Sequence, residues 1–264
     1  MKKVLLFLMS LFLMQDTGHA IRMKSIKYNS LCYSLGNKHT YDVLLRSAPT
    51  IFKVSSSLSD DLPLIVTPAK NDTLPFAIII SGDGGWNNWD QSLANSLAQR
   101  GVGSVGLDAQ KYFWSKKTPE ETTVAIAKII QQYSTLWKKQ KFIFIGYSFG
   151  ADILPFIVNR LPTDLKNKVE LVTLISPDKN ADFEIHISDM LNFGNSKDQY
   201  DVVEELNKVS KNKVICLFGE GEDLNTRIGF SKIPATIHVL KGDHHYNNNF
   251  IGIADLIMKY MNHH

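Results

Sequence analysis

Short apolar runs rich in β-branched residues return along this chain, separated by helical patterns, and that alternation most constrains its fold. Residues 76–80 read FAIII, a continuous run suited to a strand buried on both faces. Residues 102–107, 142–145, 169–175, 214–218 and 236–240 read as further core strands. Between them, residues 89–100 have helical spacing, with Leu93 and Leu97 on one face and Gly101 placed to stop the helix. Thr118, Pro119 and Glu121 supply an N-cap, a first-turn proline and a capping-box glutamate. That helix runs to about Lys138, with Val124, Ile126, Ala127, Ile130 and Tyr133 as core positions. Two more helices are expected, from Phe149 to about Arg160 and from Phe250 to about Asn262. Strands alternating with helices predict a mostly parallel sheet with helices on both faces, an α/β class. Residues 177–212 form the longest connection between core strands and are expected to make a small cap over the active site.

The amino terminus follows another logic. Lys2 and Lys3 precede an apolar stretch at residues 4–14, and Gly18-His19-Ala20 ends on a small residue suited to signal peptidase. The stretch is too short to span a bilayer, which needs about 20 residues. Residues 1–20 are therefore expected to be a signal peptide, and the mature protein periplasmic or secreted. No cysteine follows the cut, so a lipid anchor is not expected. Residues 21–60 are polar and irregular and are expected to be an extension that adds edge strands. Residues 61–264 are expected to be the main domain, with Leu64, Ile65 and Val66 as a further strand candidate.

Composition excludes rather than identifies. The chain has 264 residues, 44% hydrophobic and 21% charged, which rules out disordered and fibrous classes. A net charge of +3 is too mild for a nucleic-acid footprint. The run Lys138-Lys139-Gln140-Lys141 reads as a solvated helix end rather than a membrane or phosphate site. Of the two cysteines, Cys216 sits in an apolar strand run. A bridge to Cys32 is permitted by an oxidising compartment, but nothing in the spacing demands it.

Gly146-Tyr147-Ser148-Phe149-Gly150 fits G-x-S-x-G, following an expected buried strand and opening an expected helix. That context presents the serine at a sharp turn on the carboxyl edge of the sheet, as in a nucleophile elbow. The helix amino terminus favours developing negative charge there. A serine hydroxyl needs a base, and the order Ser, acid, His puts it after the last strand. Lys241-Gly242-Asp243-His244-His245-Tyr246 stands there; His245 is the first choice, and His244 competes. The acid is expected after the preceding strand, at Glu222 by spacing or at Asp223 by residue type. The backbone N–H of Phe149 is one expected oxyanion donor. The other is expected at Asp83 or Gly84, in the glycine-rich Ser81-Gly82-Asp83-Gly84-Gly85-Trp86. That loop lacks the Lys-Ser/Thr of a phosphate-binding P-loop. No cofactor and no metal ligand set is expected.

Several segments in order carry a resemblance. SGDGGW at 81–86, YFWS at 112–115, KTPE at 117–120, GYSFGADILP at 146–155, NRLP at 159–162, ADFE at 181–184 and His244-His245 resemble the bacterial virulence family AcvB/VirJ. The resemblance covers roughly residues 60–260, and the length is similar to that of the single-domain VirJ form. It implies an α/β-hydrolase fold, a periplasmic location and a link to type IV secretion. AcvB-type members hydrolyse lysyl-phosphatidylglycerol, so it also implies an aminoacylated phospholipid substrate at the membrane surface. A cationic lysyl group should meet carboxylates, for which Asp83, Asp152, Asp182 and Glu184 are candidates, although each taken singly reads first as a helix-cap or loop carboxylate. Tyr112, Phe113 and Trp114 are candidates for an apolar rim, or else core. A secretion adaptor or chaperone and a general esterase are the competing functions.

Overall fold

The computed structural model describes residues 62–69, 74–185, 200–209, 214–233 and 235–261. The expected signal peptide, the 21–60 extension, Cys32 and part of the expected cap lie outside them. In chain order the elements are β1 (Leu64–Thr67), β2 (Phe76–Ile80), α1 (Asn88–Gln99), β3 (Ser104–Leu107), α2 (Ala109–Tyr112), α3 (Pro119–Leu136) and β4 (Phe142–Tyr147). Then come α4 (Phe149–Arg160), α5 (Thr163–Lys166), β5 (Val169–Ile175), β6 (Asn180–Ala181), β7 (Tyr200–Asp201) and α6 (Val202–Leu206). The chain finishes with β8 (Val214–Gly219), α7 (Leu224–Phe230), β9 (Thr236–Leu240) and α8 (Phe250–Met261).

Seven strands form one sheet among the described residues, in the order β1-β3-β2-β4-β5-β8-β9. Only β1 runs antiparallel, against β3; the other pairs are parallel. The order reverses at β2, whose neighbours are β3 and β4, so the loops after β2 and β4 diverge at a topological switch point.

The continuous apolar runs divide by parity between two cores. Phe76, Ile78 and Ile80 of β2 face one side with Phe142 and Phe144 of β4 and with Ile126, Ile130, Ile153 and Ile157 of α3 and α4. Ala77 and Ile79 face the other, with Ile143, Ile145 and Tyr147, against Leu93 and Leu97 of α1 and Ile253 and Ile257 of α8. Cys216 is a free, fully buried thiol on the α3/α4 side, so the permitted bridge is not engaged at that end. Burial pushes its ionisation far above the usual thiol range.

The caps are local and readable. Thr118 Oγ1 accepts from Glu121 N–H at 3.1 Å, and Glu121 returns the contact to Thr118 N–H at 2.9 Å. Helix α1 begins on an unpredicted capping box of Asn87 and Asp90. The expected strand at 102–107 starts later, at Ser104. In the lysine run, Lys138, Gln140 and Lys141 are exposed as expected, and Lys139 is not. Lys139 is buried and donates to the Leu74 carbonyl at 2.6 Å, and Lys141 pairs with Glu170 at 2.5 Å. These residues line a cleft of about 550 Å³ before β2 and β4, at the edge opposite Ser148.

Between β5 and β8 the described residues contribute the short β6–β7 pair and α6. Glu205 of α6 binds Arg160 of α4 at 2.7 Å. Lys117 N–H donates to Phe183 O, and Ile185 N–H to Phe113 O, tying this excursion to the loop before α3. The remainder of the expected cap lies outside the described residues.

Candidate active site

Ser148 stands between β4 and α4 with φ 52° and ψ −122°, a conformation that strains a residue bearing a side chain. Its carbonyl takes the Ala151 and Asp152 N–H groups, and its own N–H donates to Ile175 O at 2.8 Å. The flanking glycines are needed for room. A Cβ on Gly150 would lie 2.2 Å from Ile80 O, and one on Gly146 would lie 2.4 Å from Gly150 O. The Gly82 backbone also comes close: a Cβ there would sit 3.5 Å from Ser148 Cβ. The loop after β2 therefore lies beside the serine, as expected of an oxyanion loop.

On that loop Gly84 N–H is spent on Asp83 Oδ1 at 2.8 Å, which argues against Gly84 as an oxyanion donor. The N–H groups of Gly82, Asp83 and Phe149 take no hydrogen-bond partner among the described residues. Gly82 thus joins Asp83 as a candidate donor, and its place one residue past the buried Ser81 is the sequence signal for it. Ser81 Oγ accepts from Ala109 N–H at 3.0 Å and so fixes the start of the loop.

The acid and histidine loops meet directly. Glu220 N–H donates to Leu240 O, and Gly221 N–H to Gly242 O. Glu222 Oε1 lies 2.7 Å from His244 Nδ1, while Oε2 accepts from Gly219 N–H at 2.6 Å. Burial pushes the Glu222 carboxyl up, but hydrogen bonds from His244, Gly219 N–H and Ser176 outweigh it and hold it below the ordinary range. Glu222 is thus a half-buried carboxyl group oriented on an imidazole.

This geometry corrects two expectations. Asp223 caps α7, accepting from Thr226 N–H at 2.9 Å, and that bond holds its carboxyl below the ordinary value. Of the two adjacent histidines, His244 rather than the favoured His245 meets the acid. The reason is the turn after β9. Gly242 adopts φ 108°, and Asp243 Oδ1 accepts from His245 N–H at 2.9 Å, so the two successive rings diverge. The His245 ring goes to the Tyr147 hydroxyl, 2.8 Å from Nδ1. Tyr246 anchors the turn: its buried hydroxyl donates to Leu217 O at 2.9 Å and lies 2.6 Å from Ser176 Oγ.

The expected substrate carboxylates have structural tasks. Asp152 Oδ1 accepts from Asp178 N–H at 2.6 Å, and Asp182 Oδ1 from Phe183 N–H at 2.7 Å. Glu184 is half-buried beside Phe183. Trp114 is 60% exposed on the loop between α2 and α3. Phe113 is not a rim residue; it is buried edge-on against Phe149, with ring centroids 5.0 Å apart.

A sequence profile of one family, described as bacterial virulence protein (VirJ), matches residues 74–264. The chain belongs to the VirJ family. The match takes in the serine turn, the acid loop and the histidine loop. Solved structures similar to this chain are α/β hydrolases, and they establish the fold. Est1E from Butyrivibrio proteoclasticus aligns with TM-score 0.56 and 14% identity, over 76% of this chain and 93% of that one. A proline iminopeptidase from Mycobacterium smegmatis gives 0.54 and 13%, over 75% and 95%. A dienelactone hydrolase from Anabaena variabilis gives 0.54 and 12%, over 76% and 91%. A search of curated proteins returned no match.

Proposed function

We propose that this VirJ-family chain is an exported serine ester hydrolase that cleaves an aminoacyl ester, lysyl-phosphatidylglycerol, at the periplasmic membrane surface. The observation that carries the reading is the 2.7 Å pairing of Glu222 with His244 on the sheet edge that also bears the strained Ser148. In this mechanism His244 takes the Ser148 proton as Oγ attacks the ester carbonyl, and Glu222 stabilises the imidazolium through Nδ1–H. The N–H groups of Phe149 and of the Gly82–Asp83 segment stabilise the oxyanion. His244 then returns the proton to the leaving lipid alcohol. Water, deprotonated by the same histidine, attacks the acyl carbon; the Ser148 Oγ–acyl bond breaks, Oγ takes the proton back from His244, and lysine leaves.

The choice of a lysyl ester is supported by the family resemblance. It is supported also by two carboxylates close to Ser148: Asp83 on the loop after β2, whose Gly82 approaches the serine, and Asp152 in the first turn of α4. The periplasmic location is supported by the leader pattern at residues 1–20.

The test is turnover of lysyl-phosphatidylglycerol, alanyl-phosphatidylglycerol and p-nitrophenyl acetate by the purified protein and its Ser148→Ala variant. Loss of all turnover in the variant, with lysyl lipid the preferred substrate of the parent, is expected. Equal rates for parent and variant would sink the reading. Asp152→Asn and Asp182→Asn should raise KM for lysyl esters more than for neutral ones; an equal response rejects carboxylate recognition.

A further inference from the structure

We infer that Tyr147 and Trp89 are positioning residues for His244, and that His245 is the side chain through which Tyr147 grips the histidine loop. The inference rests on the reading of Ser148, His244 and Glu222 as nucleophile, base and acid.

The loop between β9 and α8 needs holding. Tyr246, Asn247 and Asn248 all have positive φ, at 55°, 50° and 58°. Three successive side-chain-bearing residues keep that backbone only where their surroundings over-determine it. From below, the Tyr246 hydroxyl is tied to Leu217 O and Ser176. From the side, two consecutive carbonyls of the loop are held by two aromatic donors. Trp89 Nε1–H donates to His245 O at 3.2 Å, and the Tyr147 hydroxyl donates to His244 O at 3.3 Å. The two aromatic rings stack on each other, with centroids 3.9 Å apart and planes at 14°. Phe250 packs edge-on behind Trp89 at 5.6 Å.

The protons balance. Tyr147 has a single hydroxyl proton, and His244 O takes it. With the His245 tautomer that carries its proton on Nδ1, that N–H donates to Tyr147 Oη over 2.8 Å, and each proton is used once. Tyr147 is covalently next to Ser148, at the last position of β4. One side chain thus spans from the nucleophile's own backbone to the backbone of its base. Serine and histidine lie on loops far apart in sequence, and this link sets their separation independently of Glu222. Proton transfer requires hydrogen-bond reach, and an error of about 1 Å can cost on the order of a hundredfold in rate.

An alkyl fluorophosphonate tests this without knowledge of the natural ester. Ser148 Oγ bonds to phosphorus, the P–F bond breaks, fluoride leaves, and the serine proton passes to His244 and then to solvent. Saturation kinetics separate the maximal labelling rate from the half-saturating probe concentration. Tyr147→Phe keeps the ring stacked on Trp89 and removes only the hydroxyl; Trp89→Phe keeps an aromatic ring and removes the donor. Each should lower the maximal rate about tenfold to a hundredfold with half-saturation nearly unchanged. His245→Ala should do the same. His245→Asn, whose amide N–H stands in for Nδ1–H, should recover most of that loss. Wild-type rates in Tyr147→Phe and Trp89→Phe, with Ser148→Ala unlabelled, overturn the positioning role and leave the catalytic reading standing. Normal labelling of His244→Asn, with both His245 variants inert, makes His245 the base and overturns the assignment. A parent protein that takes no label at Ser148 removes the catalytic reading and the inference with it.

Discussion

At the scale of single residues, adjacent carboxylates have opposite tasks. Glu222 orients His244, whereas Asp223 caps α7. Glu222→Gln should lower kcat by roughly 10³–10⁴, the loss seen when an orienting carboxylate is made neutral. Asp223→Asn should change kcat by less than about twofold, because asparagine caps a helix as well as aspartate does. Ester turnover by the two variants checks both, and the reverse order of effects would reassign the acid. Asp90 offers a second residue-level test. Its Oδ2 accepts from Asn87 N–H, but its buried Oδ1 has no partner among the described residues. Burial pushes its carboxyl up to about 6, against the Asn87 hydrogen bond and with Asp108 adding to the rise. The ordinary value is 3.8, so the unfolded chain ionises first. The fold therefore loses stability as pH rises from about 4 to about 6, by up to about 3 kcal/mol. Asp90→Asn should gain stability relative to the parent across that window in urea titrations. A pH-independent difference would refute the buried carboxylate's role.

At the scale of elements, most of the pattern was legible because its causes are local. The parity of Phe76–Ile80, the Thr118–Glu121 capping box and the Gly-x-Ser-x-Gly turn each arise from neighbours in sequence. The choice between His244 and His245 was not legible. It depends on φ values at Gly242 and at Tyr246 to Asn248, set by the distant partners Leu217, Ser176, Trp89 and Tyr147. The capping role of Asp223 was available in principle, since an aspartate before a helix is a common N-cap. Spacing from the end of β8 hid it. The elbow makes the strongest element-level prediction. Gly150→Ala drives a methyl group into the Ile80 carbonyl, so β2 and α4 must separate. Destabilisation of about 3 kcal/mol or more is expected in equilibrium unfolding. A loss below about 1 kcal/mol would mean that the elbow yields easily.

At the scale of the whole molecule, two apolar cores clamp the sheet from opposite faces, and Ser148, Glu222 and His244 gather on its carboxyl edge past the ends of β4, β8 and β9. A rigid sheet can carry local strain at such an edge. Ser148→Gly should relieve the φ 52° backbone and stabilise the fold by about 1 kcal/mol or more while abolishing turnover. Thermal unfolding reads that trade, and an unchanged or lower Tm argues against stored strain. The central claim is that this edge activates Ser148 through His244. Its most direct measurement is peptide mapping of the fluorophosphonate adduct by mass spectrometry. A single adduct on Ser148, absent from Ser148→Ala and suppressed in His244→Asn, is the predicted result. An adduct on another residue, or undiminished labelling of His244→Asn, contradicts the account.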